Sequence, residues 1–248
     1  MTAPRLFDAK ALALHRTRAR RLAGDTFLLR DAEESVAERL AAVNRPFERR
    51  LAVELDENEI VAGEDGAYDL AVSLLALHAV NDLPGVLRQI RNKLKPDGLF
   101  LGALFGGDTL AELRRAFAAA EIETLGGITP RVAPFADVRD LGGLLQRAGF
   151  ALPVADVERT TVRYGDLFKL AGDLRAHGET NALTERSLKP LRRATLAALV
   201  AEYRPVTAIF DIVYLTGWAP HASQQQPLKP GSAKARLSDA LGTVERKV

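Results

Sequence analysis

The sequence contains no cysteine, one methionine and one tryptophan in 248 residues. Without cysteine there can be no disulfide, no thiolate metal site and no cysteine nucleophile, a composition that suits a reducing compartment. No apolar run approaches the ~18 residues that would read as a membrane-spanning helix, and the N-terminus lacks the apolar core of an export signal. The chain is therefore expected to be neither exported nor membrane-spanning, and a cytoplasmic location follows. Excess charge of one sign is also lacking. A net charge of +2 is too small to call for a nucleic-acid partner, although the sequence pI is near 9.0. Arg16, Arg18, Arg20 and Arg21 do cluster, and a solvated helix face accounts for them more simply than a phosphate or membrane patch. The spacings of His177, Glu179 and Asn181, and of Trp218 and His221, match no local metal motif, so no metal is expected.

Apolar residues make up 47% and charged residues 27%, which suits a folded globular protein. The length allows one α/β domain over residues 1–218, with a helical N-terminal segment over 1–46 and a polar tail over 219–248. The stretch from Asp69 to Gly107 organises the rest. It holds an apolar run (Leu70 to Leu77), a helical pattern (Leu83, Val86, Leu87, Ile90, Leu94) and a second apolar run (Leu99 to Phe105), the length and pattern of a βαβ unit. Both runs are almost uninterrupted, as in strands buried on both faces, so the sheet is expected to be mostly parallel with helices on each side.

Elsewhere, Asp31 and Glu34 predict a helix start, and RLAVEL near Leu51 to Leu55 predicts the first strand. Thr109 and Glu112 have capping-box spacing, and Asp137 opens a helix through Leu141, Leu144, Leu145 and Ala148. Strands are expected at 150–162 and 206–218, and helices at 165–177 and 188–203, the last buried through Leu188, Leu191, Leu199 and Tyr203.

YDLAVS (68–73), the following LH, VNDLP (80–84) and LKPDG (94–98) resemble the second half of a class I SAM-dependent methyltransferase with a Rossmann-like sheet. GGDTLAELR (106–114), PRVAPFADVRDLGGLLQRAGF (130–150), DLRAHGETNAL (173–183), YLTGWAPH (214–221) and PGSA (230–233) are similar to the branch typified by a mitochondrial complex I assembly factor implicated in arginine hydroxylation. The Arg-rich start, LFDAKALALHRTRARR (6–21), matches the same branch, so it is read as mature protein and not as a transit peptide. One departure stands out. The family follows its first strand with a glycine-rich turn for SAM, then a helix and a strand ending in an acidic ribose partner. Between Leu55 and Tyr68 there is no room for these, which implies that a βα piece of the N-terminal half is lost, and with it part or all of SAM binding.

The resemblance implies a SAM-dependent methyltransferase-like protein acting on a protein or small molecule. A non-catalytic or hydroxylase-type assembly factor for respiratory complex I, with a complex I subunit as partner, stays open beside it. Ligands in open parallel sheets bind beyond the carboxyl ends of the strands. On that basis Ser73, Leu75 and His78 are candidates for the cofactor, His78 for catalysis, and Gly106, Gly107 and Asp108 for substrate, while the resemblance implies Asp56 and Glu57 as an acidic pair near the cofactor's adenine. Competing structural roles are a backbone-satisfied histidine at 78 and a plain strand-to-helix turn at 106–108. Asp82 reads first as a helix cap.

Overall fold

A computed structural model of the protein describes residues 5–22 and 24–225. Among the described residues the strands form one five-stranded sheet, in the order β1-β2-β3-β5-β4, with helices on both faces, and α1 (Ala9–Leu22) is the first helix of the chain. β1 (Arg50–Ala52), β2 (Tyr68–Leu74) and β3 (Leu94–Gly106) run parallel. β4 (Ala151–Arg163) and β5 (Thr207–Trp218) complete the sheet, with β5 antiparallel to both β3 and β4. β4 therefore runs in the same direction as β1, β2 and β3, so the expected mostly parallel sheet is found, with β5 reversed among them.

Both predicted apolar runs lie in this sheet as neighbours, and α3 (Leu83–Lys93) connects them. Why β3 reads as an unbroken apolar run is clear from its two faces. Leu99, Leu101, Ala103 and Phe105 pack into one core with α2 (Phe27–Ala41), α4 (Ala111–Leu125), α6 (Leu167–Ala176) and α7 (Arg193–Glu202). Phe100 and Leu104 pack into a second with α3 and α5 (Val138–Arg147). Successive side chains of a strand point to opposite faces, so a strand covered on both must be apolar at nearly every position. β5 divides in the same way, Phe210, Ile212 and Tyr214 to one core and Val213 and Leu215 to the other.

Asp82 is the N-cap of α3, its Oδ1 accepting the Gly85 N–H at 2.9 Å. Replacing a capping Asp by Ala costs ~1 kcal/mol in general. Asp82→Ala is therefore expected to lower stability by about that amount in chemical denaturation; an unchanged midpoint would show that the cap contributes nothing.

Several boundaries differ from expectation for local reasons. β2 stops at Leu74 because Leu75 takes a positive φ of 46° and turns the chain into a 3₁₀ turn at Leu77–Ala79. α2 begins at Phe27, ahead of Asp31, and Thr26 at its N-cap position makes no side-chain cap bond. A distant residue compensates. His177 Nε2 accepts the Leu28 N–H at 3.2 Å, while Nδ1–H of the same ring donates to the Asp173 carbonyl at 2.9 Å. The Thr109–Glu112 capping box does not form, since the Thr109 hydroxyl instead donates to the Gly106 carbonyl and accepts the Asp211 N–H. The expected helix from 188 starts only at Arg193, and Leu188 is 84% exposed. Pro190 explains this, because the residue before a proline is disfavoured in helical backbone. Of the expected polar tail, Ala219 is buried and pairs through its backbone with Gly98 and Asp97; residues 226–248 lie outside the described residues.

Candidate functional site

A cavity of about 410 Å³ opens beyond the carboxyl ends of β2 and β3. It is lined mainly by apolar side chains: Phe105 at the end of β3, Leu110 just before α4, Leu113 and Phe117 along α4, Leu167 and Leu170 of α6, and Phe135 of the loop before α5. His78 lies on its wall with its side chain 3% exposed, its ring centroid 4.9 Å from that of Phe105 and 6.1 Å from that of Phe135. Nε2 of His78 sits 3.0 Å from Oε2 of Glu179, and Nδ1 is buried without a partner. Burial alone would raise the Glu179 pKa, but His78, together with Arg16 and His177, holds it below the usual carboxylate value. His78 is thus joined by a carboxylate 101 residues away, which no local spacing could reveal.

Arg131 also lines the cavity and is held in place from behind. Its Nε and Nη2 each lie 2.7 Å from Oε1 of Glu121, whose carboxylate also accepts the N–H and hydroxyl of Thr129. Glu121 is fully buried. Sequence reading gave it no role, because a glutamate inside a helix looks like any solvated one.

The glycines of the 106–108 turn do not line this cavity; Thr109, directly after them, does. A Cβ at Gly107, whose φ is 52°, would meet Asp211 Oδ2 at 2.8 Å, and one at Gly106 would meet Val213. The glycines let β3 turn closely against β5. Arg159 bridges Asp211 and Asp108 there, with Nε 2.7 Å from Asp211 Oδ1 and Nη2 3.0 Å from Asp108 Oδ2. That contact holds the Asp211 pKa below the usual value, and the partly offsetting effect is burial.

The other proposed cofactor residues, Asp56, Glu57, Ser73 and Leu75, do not line this cavity. Asp56 and Glu57 are exposed in the loop after β1, where Asp56 Oδ1 accepts the N–H groups of Asn58 and Ile60. Glu59 is likewise committed, its two carboxylate oxygens accepting from the Asn81 backbone and side chain and from the Asp82 N–H. Ser73 is buried with an unpartnered hydroxyl, and Leu75 is partly buried. A depression of only about 80 Å³ lies beside Asp56 and Glu57, against the roughly 300–1,000 Å³ of small-molecule sites. The glycines available after β1 do not form a cradle either, since a Cβ at Gly63 would meet the Tyr68 hydroxyl at 2.7 Å. These residues do not fit SAM as its usual site does. Among the described residues, no group of three or more His, Asp or Glu is placed to hold a metal.

The chain is 43% identical over 195 residues to the arginine-hydroxylase NDUFAF5, mitochondrial, of Dictyostelium discoideum, covering 75% of this chain and 45% of that protein. The Homo sapiens counterpart is 44% identical over 198 residues, 77% of this chain and 57% of that protein. A malonyl-[acyl-carrier protein] O-methyltransferase of Xylella fastidiosa is 38% identical over 163 residues, 63% of this chain and 53% of that protein. The chain spans about half the length of these relatives. Among solved structures, a SAM-dependent methyltransferase, possible histamine N-methyltransferase, of Thermotoga maritima aligns at a TM-score of 0.44 and 12% identity, covering 86% of this chain and all of that one. The expected cytoplasmic location is overturned: the NDUFAF5 relatives are named mitochondrial proteins. A methyltransferase-domain family model matches residues 15–153, more than half the sequence, and the chain belongs to that methyltransferase-domain family.

Proposed function

We propose that this chain is a SAM-dependent methyltransferase-like protein whose substrate side is retained and whose cofactor side is reduced. The observation that supports this is the apolar cavity beyond β2 and β3, with His78 and Glu179 on its wall and a poorly built cofactor region beside it. In this reading His78 contacts the acceptor, a small molecule or a protein side chain, and the 106–108 turn positions Thr109 at the cavity edge. Methyl transfer asks the protein mainly to align an acceptor, so a cavity with few ionisable groups suits it. SAM would supply the methyl group, and Asp56, Glu57, Ser73 and Leu75 do not form a site that fits it.

A second reading is an assembly factor for respiratory complex I, non-catalytic or of the hydroxylase type, acting on one of its subunits. The missing glycine-rich turn and the names of the NDUFAF5 relatives favour it. One experiment separates the two. Labelled methyl transfer from millimolar SAM to proteins or small molecules of a source extract, abolished by His78→Phe, is expected for the first reading. Failure to transfer label, together with restored complex I assembly in cells lacking the relative, would overturn it in favour of the second.

A further inference from the structure

Exposure locates the mouth of the cavity. Phe168, Arg175 and Thr180 line it and are nevertheless exposed, Phe168 to 63%, so the cavity meets solvent along α6 and the loop after it. From there the chain passes through 184–193 into α7, and Leu191 and Leu196 return to the lining. The cations of this rim are not used by the fold. Lys169 follows Phe168, and Lys189, Arg192 and Arg193 flank Leu191; all four are exposed. Neither their side chains nor that of Arg175 make an ion pair or hydrogen bond among the described residues. Carboxylates of the same stretch are fewer and partly committed. Residues 163–193 hold seven lysines and arginines against four carboxylates, of which Asp166 caps α6 and Glu179 faces His78. α1, which packs against α6, contains no acidic residue. Unpaired cations around an opening set up a positive field that steers an acidic partner to it.

We propose that this rim docks an acidic protein segment, which presents an apolar side chain to the cavity while its carboxylates meet Lys189, Arg192 and Arg193. Phe168 and Leu188, both exposed, give the segment apolar surface to cover beside these charges. A polynucleotide would satisfy the cations but has no apolar side chain for the lining. A lipid surface asks for a broad protruding apolar face, and this opening is concave. The proposal rests on the reading of the cavity as the substrate side and adds the chemistry of the partner that carries the acceptor.

The test uses the full chain without SAM and follows the fluorescence anisotropy of three labelled peptides. They are Asp-Glu-Asp-Phe-Asp-Glu-Asp, its form with Ala for Phe, and Lys-Arg-Lys-Phe-Lys-Arg-Lys. The acidic Phe peptide is expected to bind about tenfold more tightly than its Ala form, the effect of one buried aromatic side chain, and the basic peptide not to bind. Salt at about 0.5 M should weaken the acidic peptide about tenfold, because exposed charges are screened. The combined variant Lys189→Glu, Arg192→Glu, Arg193→Glu should lose at least about tenfold. The same reversal at Arg88, Arg139 and Arg147, exposed on α3 and α5 across the sheet, should leave binding unchanged. The peptide and salt comparisons use the wild-type chain and decide the matter even if a variant fails to fold. No binding of the acidic peptide, equal binding of either control peptide, indifference to salt, or equal effects of the two combined variants would overturn the proposal. So would tighter binding of a thymidine oligonucleotide or of phosphatidylglycerol vesicles through the same three residues. Because neither SAM nor transfer enters, a chain that transfers no methyl group leaves this result intact. A chain that methylates a small molecule yet ignores these peptides loses only the docked segment.

Discussion

Calorimetric titration with SAM is expected to give a dissociation constant at least about a hundredfold weaker than that of a family member carrying the glycine-rich turn. Two losses add. A charge-assisted contact to the ribose contributes roughly 1.5–3 kcal/mol, equivalent to about tenfold to a hundredfold in affinity. The backbone N–H groups of the turn would supply further hydrogen bonds, and here β1 runs into a loop in which Asp56 accepts from its own backbone neighbours, Asn58 and Ile60. Asp56 Oδ1 and both carboxylate oxygens of Glu59 already accept hydrogen bonds from within the protein. The depression beside them would have to open several-fold to admit a nucleoside. S-adenosylhomocysteine, which shares the adenosine part, should be weakened to the same extent. Micromolar binding of either ligand would show that the loop after β1 rearranges into a working site.

The reasons why some of this was legible in the sequence and some was not are physical. The β2–α3–β3 unit was readable because strands covered on both faces need apolar residues at nearly every position, and because α3 has an aspartate cap and a clear buried stripe. β5 was readable as a strand for the same reason, but its antiparallel direction was not, since direction depends on how distant segments meet. Helix starts were misplaced where the partner is remote. Thr109 looks like a cap and instead ties β3 to β5 through Asp211, whereas α2 takes its cap from His177, about 150 residues away. The site divides similarly. His78 was found because it follows a strand at the binding edge of a parallel sheet. Glu179 was visible as part of a polar cluster, yet nothing in its spacing tied it to His78. The glycine pair at 106–107 had two readings, and the close approach of Asp211 and Val213 favours the packing role.

Glu121→Ala is expected to cost about 3–5 kcal/mol, the usual loss on removing one partner of a buried ion pair. Glu121 is fully buried in α4 and receives Nε and Nη2 of Arg131 together with the N–H and hydroxyl of Thr129. Its removal leaves a guanidinium with 17% side-chain exposure without its counter-charge, and frees the loop that presents Arg131 and Phe135 to the cavity. Glu121→Gln keeps the shape and loses the charge, so it should fall between wild type and Ala. The pH dependence has a definite sign. Burial would raise the Glu121 pKa, but Thr129 and Arg131 outweigh it and hold the value below that of the unfolded chain. A depressed carboxylate pKa stabilises the fold above the unfolded value, and that stabilisation is lost as pH falls through the folded one. The stability gap between wild type and Glu121→Gln should therefore be full near neutrality and shrink below about pH 4. Urea melts at pH 7 and at acid pH measure it, and a gap that stays constant or widens on acidification would show that the Glu121 charge does not hold this loop.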